Sequence, residues 1–385
     1  MRFFHLSDLH IGKQLHSYSL KEEQEDILNQ IVDRAKEYQP DVILICGDIF
    51  DKIVPSGEAY EMFDRFLMEL SETGIPILII AGNHDSPKRL SYASSFLEKH
   101  KIYISVMPPL SEEEHLKKVV FSDEYGEVNF YLLPFTKPGY IRHFFEEGII
   151  TDYESAIREL LSREEIDFTK RNVLLSHQFY QADDWMVETS DSEQMILSIG
   201  GSDRVDAAVI KDFDYAALGH LHGPQRVKFP GIRYCGTPLK YSVSEEFHHK
   251  SITVVTLKEK GDPVSIDTIP LIPLRDVRTK RGELEDILRE AAEENCHDYV
   301  RVILTDEQEP VRPKEKLSLV YDHLLEYRID NQRTRSVLTE AEHGLEHQTP
   351  MEAFAAFYEE VHKTPLTEEQ RKRMEKIILQ AEEEI

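Results

Sequence analysis

The chain has 385 residues, 41% hydrophobic and 30% charged, the profile of a globular protein with a sizeable core and more than one domain. Its 45 basic against 72 acidic residues give a net charge of −27, which argues against broad electrostatic adhesion to nucleic acid, so any such partner must be held locally. No apolar run approaches the roughly 18 residues of a membrane span. Three scattered cysteines, Cys46, Cys235 and Cys296, lack CxxC spacing and point to a reducing cytoplasm, with neither a disulfide framework nor a thiolate zinc site. The first candidate ligand is already Asp8, which speaks against a cleaved leader.

In chain order, Met1–Leu6 reads as a strand and Ser19–Tyr38 as a helix with Ile27, Leu28, Ile31, Val32 and Ala35 on one face. Val42–Cys46 is an unbroken strand-forming run, short enough to be buried on both faces. Gly57–Leu70 is a second helix closed by Gly74, and Ile75–Ala81 a third strand, followed by a short helix over Leu90–Glu98. From Val119 to Pro273 sheet dominates: Glu127–Phe135, Val173–Leu175, Tyr215–Leu218, Ile232–Cys235 and Ser251–Leu257, with a helix at Glu154–Leu161. Alternation early and strands in succession later suggest an α/β fold of two sheets packed face to face with flanking helices. The first domain is expected over 1–273, ending at Ile269-Pro270-Leu271-Ile272-Pro273. A small α/β capping domain over 274–340 would follow, with a basic patch (Arg275, Arg278, Lys280, Arg281), helix Glu283–Glu294, strand Tyr299–Leu304 and a helix from Pro313 to Tyr327. A polar linker, 341–350, leads to C-terminal helices over 351–385.

Five apolar runs end in groups that bind metal: Asp8 and His10 after Phe3–Leu6, Asp48 after Val42–Cys46, and Asn83 after Ile75–Ala81. His177 follows Val173–Leu175, and His220 and His222 follow Tyr215–Leu218. Open α/β sheets place ligands beyond the carboxyl ends of their strands, so these runs are read as one site with Asp48 at its centre. Carboxylate, amide oxygen and imidazole without thiolate suit Mn²⁺, Fe²⁺ or Zn²⁺. Seven ligands are too many for one ion, but with one bridging carboxylate they make two sites of four. His220 and His222 share a face if the strand continues, and serve different ions if it turns. Two divalent ions against two carboxylates leave positive charge for a phosphate, and such ions lower the pKa of bound water towards about 7. His84 is not needed as a ligand. It is the candidate acid, or cation, at the departing oxygen, with Asp85 the candidate to hold and charge its imidazole.

The motifs SDLH, GDIFD, GNHD, SHQ and GHLH, in this order, resemble the signature of the calcineurin-like metallophosphoesterases. Within them, HLSDLHIGKQL, GNHDSPKRL and CGTPLKYSVSE are similar to the SbcD nuclease subunits, bacterial relatives of the Mre-type DNA double-strand-break nucleases. The resemblance covers roughly residues 1–340. It implies that Asp8, His10, Asp48 and His222 hold one ion and that Asp48, Asn83, His177 and His220 hold the other, with His84 catalytic. It also implies two manganese ions, cleavage of DNA phosphodiesters, a homodimer through the helices near 57–70 and 90–98, and a coiled-coil SbcC-type ATPase partner. A cytoplasmic protein that meets the nucleoid when acting on DNA is expected, with no membrane partner. Phosphoprotein phosphatases follow the central Gly-Asp with Asp-Arg-Gly. Ile49-Phe50-Asp51-Lys52 departs from that. In the tail, Met351, Phe354, Ala355, Tyr358 and Val361 share a helix face, and Thr367 with Gln370 makes a capping box before a second stripe, Met374, Ile377, Ile378, Ala381 and Ile385. The pair is expected to dock on the ATPase.

Overall fold

The computed structural model describes residues 1–194, 203–291, 296–331 and 350–374. β1 (Arg2–Leu6), β2 (Val42–Cys46), β3 (Ile77–Ile80) and β4 (Ile102–Ser105) run parallel, joined by α1 (Lys21–Tyr38), α2 (Gly57–Glu72) and short helical turns. All five residues of β2 are buried, as a central parallel strand covered on both faces must be. The chain then builds a second sheet from β5 (Lys117–Asp123), β6 (Gly126–Leu133), β7 (Arg171–Ser176), β8 (Tyr215–Leu218), β9 (Gln225–Arg226) and β10 (Ile232–Tyr234), with α3 (Tyr153–Ser162) between β6 and β7. It returns to the first sheet with β11 (Ser251–Thr256) and β12 (Ser265–Pro270). The resulting orders are β12-β11-β1-β2-β3-β4 and β9-β10-β8-β7-β6-β5.

The sheets face each other. Phe3, Leu44, Cys46 and Leu78 from the first meet Phe130, Leu132, Val173 and Ala217 from the second in one buried cluster. A second cluster fills the outer face of the second sheet, where α3 lays down Ala156, Ile157 and Leu160. The fold is therefore the expected α/β sandwich of two sheets with flanking helices. α2 starts on Ser56, whose hydroxyl accepts the Ala59 amide, and buries Ala59, Met62, Phe63, Phe66, Leu67 and Leu70 within its own chain. α3 carries a reciprocal Asp152–Ser155 capping box. Register decides where the loops begin. Leu6 pairs with Ile45, Cys46 with Ile80, and Ser176 with Leu218, so the residues after each strand emerge side by side.

The chain divides into two units, Met1–Thr279 with His297–Arg301, and Lys280–Cys296 with Val302–Ile385. Within the second, Leu284–Glu290 and Pro313–Ser318 are helical. The expected helix to Tyr327 is wrong beyond its first turns. His323–Ile329 is a strand in a three-stranded sheet, where ladder bonding overrides the helical spacing of Leu317, Val320, Tyr321 and Leu324. The expected helix over Leu90–Glu98 is broken into Pro87–Leu90 and Ser94–Leu97 by Ala93, whose φ of 58° no α-helix admits. The basic patch is answered internally. Arg275 meets Glu22 and Glu23, Arg278 meets Asp298, Lys280 meets Glu290, and Arg281 meets Asp330. In the tail, Pro350–His362 is helical and the Thr367–Gln370 capping box is formed, its two amides satisfied at 2.9 and 3.3 Å. Most of the polar linker and the residues beyond Met374 in the second stripe lie outside the described residues.

Candidate metal centre

The loops after β1 and β2 travel together. Asp8 N–H donates to Gly47 O, His10 N–H to Asp48 O and Ile11 N–H to Ile49 O, at 2.9–3.0 Å. This ribbon holds Asp8, His10 and Asp48 at φ values of 52°, 44° and 50°, and His220 lies at 98°. Left-handed backbone at four candidate ligands is a concentration of strain found at sites whose geometry is over-determined by their surroundings. Gly47, at φ 90°, is needed on two counts, because a Cβ there would also fall 2.3 Å from His177 Nδ1. Gly82 is needed for closeness alone: its Cβ would fall 2.1 Å from Asp48 Oδ1.

All seven predicted ligands and His84 converge. Asp8, His10 and His222 place one donor atom each within 4.8 Å of one another, and so do Asp8, Asp48 and His177, and His10, Asp48 and His84. Asp48 Oδ2 is 3.3 Å from His177 Nε2 and 3.8 Å from His10 Nε2. Asn83 Oδ1 is 3.1 Å from both His177 Nε2 and His220 Nδ1. Separations of this size are those of nitrogen and oxygen ligands about 2.1 Å from a shared ion. His10 adds a sharper sign: both of its ring nitrogens are buried without a hydrogen-bond partner. A buried unsatisfied imidazole is costly, and a divalent ion at Nε2 would satisfy it. The residues fit the ion that they imply.

Charge follows from packing. Burial pushes the Asp8 carboxyl up. Burial would do the same to Asp48, but His177, His84 and His10 around it hold it well below the usual carboxylate range. Burial disfavours an imidazolium at His177, yet Asp48 and Asp8 overcome it and raise the pKa to about 9. His220 goes the other way, to about 3, under burial and the neighbouring His177 charge. The two buried carboxylates thus collect positive charge, whether a proton or an ion.

His84 stands slightly apart and is half-buried, as is Asn83, whereas the other candidate ligands are buried. Its amide donates to Asp48 Oδ1 at 2.8 Å, and its Nδ1 lies 2.8 Å from the carbonyl oxygen of Asp51. That contact fixes Nδ1 as the protonated nitrogen and leaves Nε2 to face the site. The expectation that Asp85 holds this imidazole needs correcting. The Asp85 carboxylate points inward and accepts the amides of Ile49, Phe50 and Gly82, at 3.2, 3.1 and 2.9 Å. It clamps the GDIFD loop to the GNHD loop, and burial beside Asp48 raises its pKa to about 6. Trp185 is taken up by β9, its Nε1 donating to Arg226 O and its ring stacked 4.9 Å from the Arg226 guanidinium. Two residues of the site were not foreseen from sequence, Glu193 and Glu245, both buried against His222. Of the two, only Glu245 lies in a motif, at the end of CGTPLKYSVSE.

A model of the calcineurin-like phosphoesterases matches residues 1–224, and one described as the Type 5 capsule protein repressor C-terminal domain matches residues 273–362. The SbcD subunit of the nuclease SbcCD from Staphylococcus epidermidis is 33% identical over 329 residues, 84% of this chain and 84% of that protein. The chain belongs to the SbcD family of calcineurin-like phosphoesterases. As a member it is a hydrolase acting on phosphodiester bonds, and its buried Asp and His groups serve divalent metal. Among solved structures, the chain is similar to a Thermus thermophilus protein (TM-score 0.42, 12% identity, 70% of this chain and 99% of that one) and to a dimetal phosphatase from Danio rerio (0.38, 13%, 71% and 97%). No helix among the described residues of this SbcD-family chain is long and apolar enough to cross a membrane.

Proposed function

We propose that the chain is a manganese-dependent DNA nuclease, a double-strand exonuclease and a single-strand and hairpin endonuclease, which works as a dimer beside an SbcC-type ATPase in DNA end processing. The observation that carries this reading is the position of Asp48, whose Oδ2 lies between His10 and His177, at 3.8 and 3.3 Å. A carboxylate in this position would serve both of the sets that the resemblance implies, Asp8, His10, Asp48 and His222 for one ion and Asp48, Asn83, His177 and His220 for the other. Divalent ions bound there supply Lewis acidity and acidify water towards a pKa of about 7. The chain's own part is to hold the phosphodiester between the strand ends and to present His84 Nε2 to the leaving oxygen. The residual positive charge of the site is what binds a phosphodiester to a chain of net charge −27.

Residues 1–273 carry the nuclease, 274–340 cap it against DNA, 341–350 form a linker, and 351–385 dock on the ATPase. The dimer is assigned to the apolar groove beside α2, a space of about 760 Å³, where Met68, Tyr92 and Phe96 are 53%, 84% and 61% exposed. The test is one purified sample, assayed with manganese on hairpin DNA and on a nitrophenyl phosphodiester, with its metal content measured. Cleavage of both substrates with two ions per chain is expected. Turnover of the small diester alone would make the protein a small-molecule phosphodiesterase, and an idle protein would make it a scaffold.

A further inference from the structure

His222 is supported differently from the other histidines of the site. His177 leans on a backbone carbonyl, Cys46 O at 2.7 Å, His84 leans on Asp51 O, and the His10 ring has no hydrogen-bond partner. Among these, only His222 is bonded through its ring to a carboxylate outside the candidate ligand set: its Nδ1 lies 3.0 Å from Glu245 Oε1. Glu245 closes a short 3-10 turn, Val243–Glu245, which is capped by the Ser242 hydroxyl, and is fully buried. Its other oxygen accepts from Lys250 Nζ at 2.6 Å, and Lys250 is buried too. The same ammonium donates to the His222 carbonyl at 2.9 Å and to Thr237 Oγ1 at 2.6 Å. Glu193 accepts the His222 amide, its own carboxylate pinned by the amide and hydroxyl of Ser190 at 2.9 and 3.2 Å. One imidazole and its peptide unit are thus held by two buried carboxylates and a buried ammonium.

Such a network does not arise as filler. A buried ion pair often stabilises a fold no better than apolar residues of the same volume, so its presence here needs another reason. The geometry supplies one. An N–H donated from Nδ1 to a carboxylate fixes the tautomer, strengthens Nε2 as a donor, and orients the ring. With Nδ1 on Glu245, Nε2 is the ring nitrogen left for the cluster that His222 forms with Asp8 and His10.

We propose that Glu245, backed by Lys250, is a positioning residue for His222, and that the ion held by Asp8, His10 and His222 depends on this pair while the ion of His177 and His220 does not. The inference rests on the reading that Asp8, His10 and His222 bind an ion, and the experiment keeps the two apart. Full-length wild-type, His222→Ala, Glu245→Ala and Glu245→Gln proteins are titrated with manganese by calorimetry, with free Mn²⁺ followed by electron paramagnetic resonance. Thermal unfolding is recorded alongside. His222→Ala should abolish one of two binding events. Glu245→Ala should weaken that same event by about 10–100-fold, the range for losing an outer carboxylate partner, and leave the other within about twofold. Glu245→Gln keeps an acceptor oxygen in place and should fall between Glu245→Ala and wild type. If Glu245→Ala does not fold, Glu245→Gln decides, and weakening of one event by about threefold or more supports the proposal. Unchanged affinity in the Glu245 variants, or equal loss at both events, overturns the positioning role while the ligand reading stands. Two wild-type binding events in His222→Ala overturn both.

Discussion

Replacing Gly82 by alanine tests the closeness on which the centre depends. The added Cβ would lie 2.1 Å from Asp48 Oδ1, 2.4 Å from the Asp48 amide nitrogen and 2.7 Å from its Cγ. Ordinary contact needs roughly 3.4 Å or more, so Asp48 and the loop ahead of it must separate by about 1 Å. One of the clashing atoms is backbone, and a change of rotamer cannot relieve it. The Gly82 amide is also one of the three that Asp85 gathers, so the displacement loosens the clamp between the two loops. Overpacking of this kind costs about 1–3 kcal/mol of stability. The functional loss should be larger, because a misplacement of about 1 Å costs on the order of 10²-fold in rate. Gly57→Ala is the control, since nothing lies within 4 Å of its added Cβ and its residue opens α2. It should be neutral or slightly stabilising, by about 0.4–1 kcal/mol. Manganese content, thermal unfolding and hairpin cleavage are measured on both. A Gly82→Ala protein that holds two ions and cuts at the wild-type rate would refute the reasoning.

Asp48→Asn should weaken both ions and His10→Ala mainly one. Anomalous scattering from manganese-soaked crystals distinguishes them, and two full ions in Asp48→Asn would end the bridging assignment. His84→Gln should leave metal and DNA binding intact and slow cleavage by about 10²–10⁴-fold, the usual share of a general acid; loss of metal in that variant would make His84 a ligand. Asp123 accepts from the Met1 amine and from Arg171, both nearly buried, and Arg171 holds its pKa well below the ordinary range. Asp123→Asn should cost about 3 kcal/mol or less, at or below the low end for a broken buried pair because the carboxylate is 15% exposed. A depressed carboxylate stabilises fully above its unfolded pKa of about 4 and loses that contribution as pH falls towards the folded value, so urea titrations of wild type and variant should converge only in acid. Deleting the chain beyond Glu340 should leave a soluble, manganese-dependent nuclease that no longer co-purifies with an SbcC-type ATPase; retention at full strength would count against the docking role.

The strands of the centre were legible because a parallel strand covered on both faces admits little but apolar residues, and Val42–Cys46 and Ile77–Ile80 show that pattern without ambiguity. The convergence of the candidate ligands was legible for a related reason: each lies among the first polar groups after such a run. Supporting contacts were not legible. Glu245 reaches His222 across 23 residues, and Asp51 serves His84 with a backbone carbonyl that every residue possesses. Asp85 misled for the opposite reason. Adjacency to His84 suggested contact, while the turn sends its carboxylate to three amides. His323–Ile329 was missed because spacing of leucine and tyrosine fits either a helix or a strand until a partner strand is known.

The two sheets contribute unequal but complementary parts of the centre. Asp8, His10, Asp48, Asn83 and His84 leave the first sheet, and His177, His220 and His222 leave the second. A divalent ion bound across them would be a rivet as well as a reagent. Its affinity would enter the free energy of closing the sandwich, about 2.7 kcal/mol for one site at a free concentration one hundred times the dissociation constant. Chelation is then expected to loosen the sandwich at that rim, and proteolytic sensitivity there, with and without chelator, is the measurement that checks it.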